Sequence, residues 1–320
     1  SLPMTEPGVN MTPVAGADPM RGYADLHVHM FGHLAFGGGV IAGAPYDPVG
    51  GAAKALAPDF GTDLDLILPT TQQNQLVGRC PPLVPNCGRN VFHGDHLPID
   101  DFMGNRGDKS RSYFGAPIFS GWPRWTTLTH QQVYYKWLER AWRGGMRVMV
   151  MLAGTNEFAC GASKKLRGSV CNDPNVSIDV QLNAAKAFES WHAAQPGGGW
   201  FKIVRSPDEA EQTIRAGKLA VVLGVEPDVL FNCRESSTFC TPQYITAQVD
   251  QLFAKGVRYV FPMHDFDTAF GGPALFIGLL SAANTTIAGH PFVSVPCPGI
   301  SDKIGLNCSA RGLTTAGSVL

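Results

Sequence analysis

The chain has 320 residues, and 44% of them are hydrophobic, which is enough to bury a large core and excludes a disordered protein. The formal net charge is −1 and only 16% of the residues are charged, which argues against nucleic acid or an anionic membrane surface as a partner. No apolar run approaches the roughly 20 residues of a membrane-spanning helix, so no transmembrane segment is expected.

The N-terminal part of the chain has little regular pattern. Residues 1–20 are interpreted as an extended arm, and a first strand is predicted at about 23–30. Residues 31–122 are rich in glycine and proline, and they are interpreted as a long loop-rich insertion with one short strand at Leu64–Leu68. An irregular stretch of this length is uncommon unless it is functional or braced by disulfides.

From residue 127 onward, predicted helices alternate with predicted strands. The helices are Thr127–Arg143, Val176–Ala194, Pro207–Ala216 and Pro242–Lys255, and the strands are Met146–Leu152, Trp200–Val204, Leu219–Val225 and Val257–Met263. This alternation favours β/α units on a parallel sheet. We therefore expect one α/β domain over residues 1–320, with a TIM-barrel-like (β/α)8 architecture as the first choice and an open doubly wound sheet as the alternative.

The eight cysteines occur as four pairs of near neighbours along the chain. Pairing each cysteine with its neighbour has the lowest loop-closure cost, and each such bond is expected to stabilise the fold by roughly 2–3 kcal/mol. The predicted disulfides are Cys80–Cys87, Cys160–Cys171, Cys233–Cys240 and Cys297–Cys308. The alternative is eight free thiols in a cytosolic enzyme, whereas a structural zinc site is disfavoured because no C-x-x-C is present.

Four disulfides would place the protein in an oxidising compartment, so it is expected to be secreted, periplasmic or exposed at the cell surface. Four N-x-S/T sequons would permit glycosylation in a eukaryotic host. They lie at Asn10, Asn175, Asn284 and Asn307.

Candidate metal ligands occur where three of the predicted strands end. His27 and His29 are two residues apart on the first strand, so strand alternation directs both imidazoles to one face. Glu226 and His264 each directly follow a later strand. Because parallel strands end at one edge of a sheet, we expect these side chains to meet there and to suit a metal such as zinc. The alternative for each of them is an ordinary packed or loop residue.

Several segments resemble the membrane dipeptidase (renal dipeptidase) family of the amidohydrolase superfamily. Leu219–Glu226 is similar to the family's strand that ends in a metal-bridging glutamate, and Gly256–His264 is similar to its G-V-R-Y-x-x-x-x-H strand. Residues 267–270 fit its H-x-x-N-T-x-aromatic pattern with Asp in place of Asn, and residues 312–317 resemble its G-L-T-x-x-G.

The resemblance implies a role for each candidate residue. His27 and His29 take the positions of the family's first-strand H-x-D metal ligands, and Glu226 takes that of the carboxylate that bridges two zinc ions. His264 would polarise the scissile carbonyl as a catalytic, substrate-binding residue, and Asp267 would also contact substrate. Since the second ligand is His29 rather than Asp, other divalent metals are alternatives to zinc.

The chain reaches Leu320 within the segment that resembles the family's G-L-T-x-x-G helix. In the family, two further histidine ligands and a catalytic aspartate follow this motif. At most six strands can be counted, so the last barrel strands are expected to be missing after residue 320. Either a second polypeptide completes the barrel or the chain is truncated, and a homodimer is compatible with the sequence.

These observations predict a secreted metal-dependent hydrolase of amide or peptide bonds that acts on a small peptide-like substrate through a metal-activated hydroxide. One alternative is lactone or phosphoester hydrolysis at the same site. A second alternative is a non-catalytic binding module with a decayed metal site. Asn156 and Glu157, which follow another strand, are either pocket residues or part of a polar loop.

Overall fold

A computed structural model describes residues 18–38, 41, 43–56, 131, 133–162, 173–273 and 278–292. Most of the N-terminal arm and of the insertion, including the predicted strand Leu64–Leu68, lies outside these residues. The segment 312–317 and the sequons at Asn10 and Asn307 lie outside them as well.

The described residues contain five strands that form one parallel sheet. The strands are β1 (Tyr23–Val28), β2 (Met146–Thr155), β3 (Phe201–Val204), β4 (Leu219–Pro227) and β5 (Val257–Val260). Their order is β1-β2-β4-β3, with β5 also paired to β4. An α/β fold with a parallel sheet is therefore present, as the alternation of elements predicted. Among the described strands β1 pairs only with β2, and closure into an eight-stranded barrel stays a prediction.

β4 is the central strand of this sheet. It pairs with β2 in unbroken register from Val148↔Ala220 to Thr155↔Pro227. The other edge of β4 pairs first with β3 and then with β5. Both central strands are covered on their two faces, which explains why they read as continuous apolar runs. One consequence for the site is that β2 lies between β1 and β4.

Seven α-helices accompany the strands in the described part of the chain. They are α1 (Gly51–Leu56), α2 (Tyr135–Arg143), α3 (Glu157–Ala162), α4 (Pro174–Ala193), α5 (Pro207–Arg215), α6 (Pro242–Lys255) and α7 (Gly278–Ile287). None of them is long and apolar enough to cross a membrane.

Polar side chains cap the starts of three helices. Asp173, Ser206 and Thr241 each accept a hydrogen bond from a backbone N–H in the first turn of α4, α5 and α6, and proline follows each cap. Gly256 ends α6 with φ of 98°, a left-handed conformation that costs glycine little. These signals explain why the predicted and observed bounds of α5 and α6 agree closely.

Two predicted elements are shorter in the structure. The helix expected at Thr127–Arg143 is observed from Tyr135, because Tyr134 is extended with ψ of 138°, and residues 127–130 and 132 lie outside the described residues. The strand expected to reach Met263 ends at Val260. Phe261 still donates its N–H to Val225 O, but Pro262 has no N–H with which to continue the ladder. His264 therefore lies in the loop beyond β5 and not at the last strand position.

The disulfide prediction is confirmed at Cys233–Cys240, whose sulfur atoms are bonded in the loop between β4 and α6. Cys160 is also disulfide-bonded. The remaining cysteines lie outside the described residues: Cys80, Cys87, Cys171, Cys297 and Cys308.

The sequon at Asn284 is unsuited to glycosylation in the folded protein. Its side chain is fully buried, accepts a hydrogen bond from Asp267 N and donates to Asp267 Oδ2 and His290 O. Attaching a glycan would require all three hydrogen bonds to break and the residue to leave the core.

Candidate metal centre

Three predicted ligands converge at the C-terminal edge of the sheet. His27 Nε2 lies 3.0 Å from Glu226 Oε2, and His29 Nε2 lies 2.9 Å from the same oxygen. The two imidazole Nε2 atoms are 3.1 Å apart. His27 and His29 come from the end of β1, whereas Glu226 comes from the end of β4, so the triangle joins two strands that are not neighbours.

The spacing of these three atoms fits a metal ion. Ligands of tetrahedral zinc at roughly 2.0–2.1 Å from the ion are separated by ~3.3 Å from one another. Among the described residues, no hydrogen bond of good geometry reaches Glu226 Oε2, although the oxygen is buried. His27, His29 and Glu226 can therefore hold a cation together, and they form the one such group found in the described part of the chain.

Glu226 is prepared to act as an anionic ligand. Its side chain is only 1% exposed. Burial opposes its ionisation, but the neighbouring imidazoles of His29, His264 and His27 outweigh burial and lower the pKa of the carboxyl. A buried carboxylate that faces several imidazoles is a chemical setting suited to a divalent metal.

Gly154 leaves the space through which the His29 side chain reaches Glu226. It lies on β2 and pairs with Glu226 across the sheet. A Cβ placed on Gly154 would lie 3.0 Å from His29 Cε1 and 3.1 Å from His29 Nδ1. The His29 ring therefore passes directly over this glycine to reach β4. Sequence reasoning missed this position, because the order of strands in a sheet is not visible in the chain.

His264 contacts the same carboxylate from a different side. Its Nε2 lies 3.5 Å from Glu226 Oε1, the oxygen that is not shared by His27 and His29. Its Nδ1 lies 3.4 Å from Asp265 Oδ2. The structure thus brings His264 to the site but places it outside the three-ligand group, in keeping with a role other than metal binding.

Asn156, which directly follows β2, holds Asp265, the acid that lies beside His264. Asn156 donates from Nδ2 to Asp265 Oδ2 at 2.6 Å, and its Oδ1 accepts from the backbone N–H of Ala159 at 2.8 Å. Asn156 is 9% exposed, so this amide is fixed at the start of α3. Of the two readings open for Asn156, the structure favours a residue of the site over a solvated loop residue.

Phe261 forms an apolar wall beside the histidines. Its ring centroid lies 6.3 Å from that of His27 and 6.3 Å from that of His264, in edge-to-face arrangements. The Phe261 ring therefore contacts both histidines edge to face and gives the site an apolar side.

A second carboxyl lies two residues beyond Glu226. Asp228 is fully buried, and burial raises its pKa to about 7 despite a hydrogen bond from the Glu157 N–H. The charges of Glu157 and Asp265 act in the same direction as burial. Glu157 in turn forms an ion pair with Arg234. The sequence signal for Asp228 is its place two residues after Glu226, just beyond the end of β4.

Asp267 lies in a separate cluster. Besides the two hydrogen bonds with Asn284, its Oδ2 lies 4.0 Å from His290 Nδ1. No contact among the described residues joins Asp267 to His27, His29 or Glu226. Its expected role in substrate binding stays a prediction.

Comparison with protein-family models, with curated proteins and with solved structures finds no match to this chain. The class that the fold and the site define is an α/β protein with a candidate metal centre at the C-terminal edge of a parallel sheet. Any narrower assignment rests on the motifs and on the geometry described above.

Proposed function

We propose that the protein is an exported metal-dependent hydrolase of small amide or peptide bonds, similar in chemistry to the membrane dipeptidases. The observation that carries the proposal is the convergence of His27 and His29 on Glu226 Oε2. His264 approaches the other oxygen of this carboxylate, Oε1. A metal-binding triangle by itself needs no third histidine at that position, whereas a hydrolase needs a group that faces the substrate carbonyl.

His27, His29 and Glu226 would hold a divalent metal, most simply zinc, and the dipeptidase resemblance implies a second ion. When bound, such a metal supplies an activated water and positive charge beside the scissile carbonyl. The Glu226 carboxylate offers one oxygen to both strand histidines and leaves the other facing His264.

The remaining residues of the site position the substrate. His264 Nε2, 3.5 Å from Glu226 Oε1, would donate a hydrogen bond to the carbonyl oxygen of the substrate. Asp265, 3.4 Å from His264 Nδ1 and itself held by Asn156, would orient the ring. Phe261 keeps water from one side of the reacting bond.

The Cys233–Cys240 bond and the disulfide at Cys160 support export to an oxidising compartment. The Cys233–Cys240 bond also restrains the loop that follows Glu226 and includes Phe231, a non-glycine residue with φ of 58°. A restrained loop next to a metal ligand favours a preorganised site.

The test combines metal analysis with activity. Protein purified without any chelator is expected to contain zinc or another divalent ion, as measured by mass spectrometry. It is also expected to hydrolyse members of a dipeptide panel. Chelation should abolish hydrolysis, and added metal should restore it. Glu226→Gln should lose both metal and activity, while Glu211→Gln, an exposed acid paired with Arg215 on α5, should lose neither.

Other outcomes would redirect the assignment. Metal-dependent cleavage of lactones or phosphoesters, without cleavage of dipeptides, would keep the metal centre and replace the substrate class. Protein without bound metal and without chelator-sensitive activity would contradict the proposal and favour a binding module.

A further inference from the structure

A cavity of about 470 Å³ lies at the opposite end of the strands from the candidate metal centre. It is bounded by α2, by the turn that joins α4 to β3 and by the turn that joins α5 to β4. Trp200 and Lys218, which line it, directly precede β3 and β4. The cavity therefore lies where the parallel strands begin, whereas His27, His29 and Glu226 lie where strands end.

Two residues of the cavity lining carry buried hydrogen-bond donors that have no acceptor in the part of the chain that the structure describes. His192 and Trp200 are each 6% exposed. His192 Nε2 accepts the backbone N–H of Trp200 at 3.3 Å, which leaves the proton of the neutral ring on Nδ1. Among the described residues, neither His192 Nδ1 nor the indole Nε1 of Trp200 has a partner. Because an unpaired buried N–H is costly, two of them beside one cavity favour a ligand that brings an acceptor close to both.

The charge of the lining favours an anion. Lys136, Arg143 and Lys218 contribute three cations, and Glu139 is the acidic residue among the described lining residues. Glu139 is already bonded to Lys136 at 3.0 Å and to Arg143 at 2.8 Å. Among the described residues, Lys218 donates only to a backbone carbonyl, that of Gly198. The cavity consequently carries an excess of positive charge at its Lys218 side.

The walls of the cavity favour a flat organic ligand over an inorganic ion. Trp142 and Trp200 are stacked with centroids 5.6 Å apart and an interplanar angle of 14°, and Tyr135 contributes a further ring to the lining. Aromatic walls offer planar surfaces on which a ring packs well. The cavity is also much larger than an inorganic anion requires. One water occupies ~30 Å³, so a phosphate-sized ion occupies roughly 100 Å³.

We propose that this cavity binds a small aromatic carboxylate, whose ring packs against the tryptophan pair and whose oxygens accept from His192 Nδ1, Trp200 Nε1 and Lys218. Binding here uses none of the residues assigned to the metal centre, so the site is independent of the proposed hydrolase activity. It adds a second ligand to the protein, held at the end of the sheet where the strands begin.

The experiment follows the indole N–H resonances of the full-length protein by ¹H–¹⁵N NMR. The protein is labelled at tryptophan and titrated with benzoate, phenylacetate and indole-3-acetate. The Trp200 resonance is assigned from its absence in Trp200→Phe. Benzyl alcohol supplies the ring without the charge, and inorganic phosphate supplies the charge without the ring.

We expect at least one aromatic carboxylate to shift the Trp200 resonance saturably. Lys218→Gln and Trp200→Phe should each weaken that ligand at least about tenfold, as judged for Trp200→Phe by another perturbed resonance, because each removes a donor to a charged group. Trp191→Phe is the matched control, since Trp191 does not line the cavity, and its affinity should equal that of the wild type.

Three results would overturn the proposal. One is the absence of a saturable shift with every carboxylate. Another is an affinity for benzyl alcohol or for inorganic phosphate equal to that for the aromatic carboxylate, which would mean that the cavity recognises only the ring or only the charge. The third is unchanged affinity in Lys218→Gln, provided that its NMR spectrum shows a folded protein.

Discussion

The imidazole of His29 lies directly over Gly154, so that a methyl group at residue 154 would lie 3.0 Å from His29 Cε1. The backbone at this point has little freedom to yield. Gln181 accepts the Gly154 N–H at 3.2 Å and donates to the Gly154 carbonyl at 2.6 Å. An added side chain would therefore displace the histidine and not the strand.

Gly154→Ala is accordingly expected to weaken metal binding by about 10- to 100-fold, the range seen when the support of a ligand is disturbed. Competition with a chelator of known affinity measures this loss. Gly161→Ala on α3 is the control, because an added Cβ there meets nothing within 4 Å. Equal metal affinity in the two variants would show that His29 does not need its present position.

Asp265→Asn tests the orientation of His264. The substitution removes the negative charge that lies 3.4 Å from His264 Nδ1 while keeping the size of the side chain, and we expect kcat to fall about tenfold. Metal content should stay unchanged, because Asp265 contacts none of the three ligands among the described residues. Asp179→Asn, at a partly exposed pair with Lys255, serves as the control. A loss of metal in Asp265→Asn would assign the residue to the metal centre itself.

Removal of the Cys233–Cys240 bond by the double substitution to serine should lower the free energy of unfolding by ~2.5 kcal/mol, as loop entropy predicts for so short a loop. Urea unfolding of the oxidised proteins measures the difference. An effect near zero would mean that the strain of the native loop offsets the entropic gain.

Stability is expected to fall in mild acid because of His192. Burial lowers the pKa of this histidine to about 4. The positive charges of Lys136 and Lys218 also lower this pKa, whereas the negative charge of Glu139 raises it. Between pH 6.5 and 4 the unfolded chain binds a proton at this residue that the native protein does not, so unfolding becomes easier as pH falls through that window. The loss at this one site is at most about 3 kcal/mol.

His192→Gln, which keeps an acceptor for the Trp200 N–H, should therefore show a weaker dependence of stability on pH between 6.5 and 4. Urea unfolding at several pH values, in wild type and variant, gives the difference directly. Since burial also lowers the pKa of His33 to about 4, part of the dependence should survive in the variant. Parallel pH profiles for the two proteins would contradict the assignment to His192.

The sequence by itself determined the parts of the site that depend on local rules. Strand alternation placed His27 and His29 together, and the apolar run before Glu226 put that residue at the end of a buried strand. Capping residues and prolines determined where α5 and α6 begin. Pro262 also explains the early end of β5, although the prediction extended that strand to Met263.

Only the tertiary structure decided which distant residues meet. The pairing of β2 between β1 and β4 makes Gly154 the neighbour of His29, and it brings Asn156 to Asp265, 109 residues away along the chain. The cavity around Trp200 likewise joins α2 to turns that precede β3 and β4. Strand order and helix packing follow from the total burial of many side chains at once, so no short segment of the sequence carries that information.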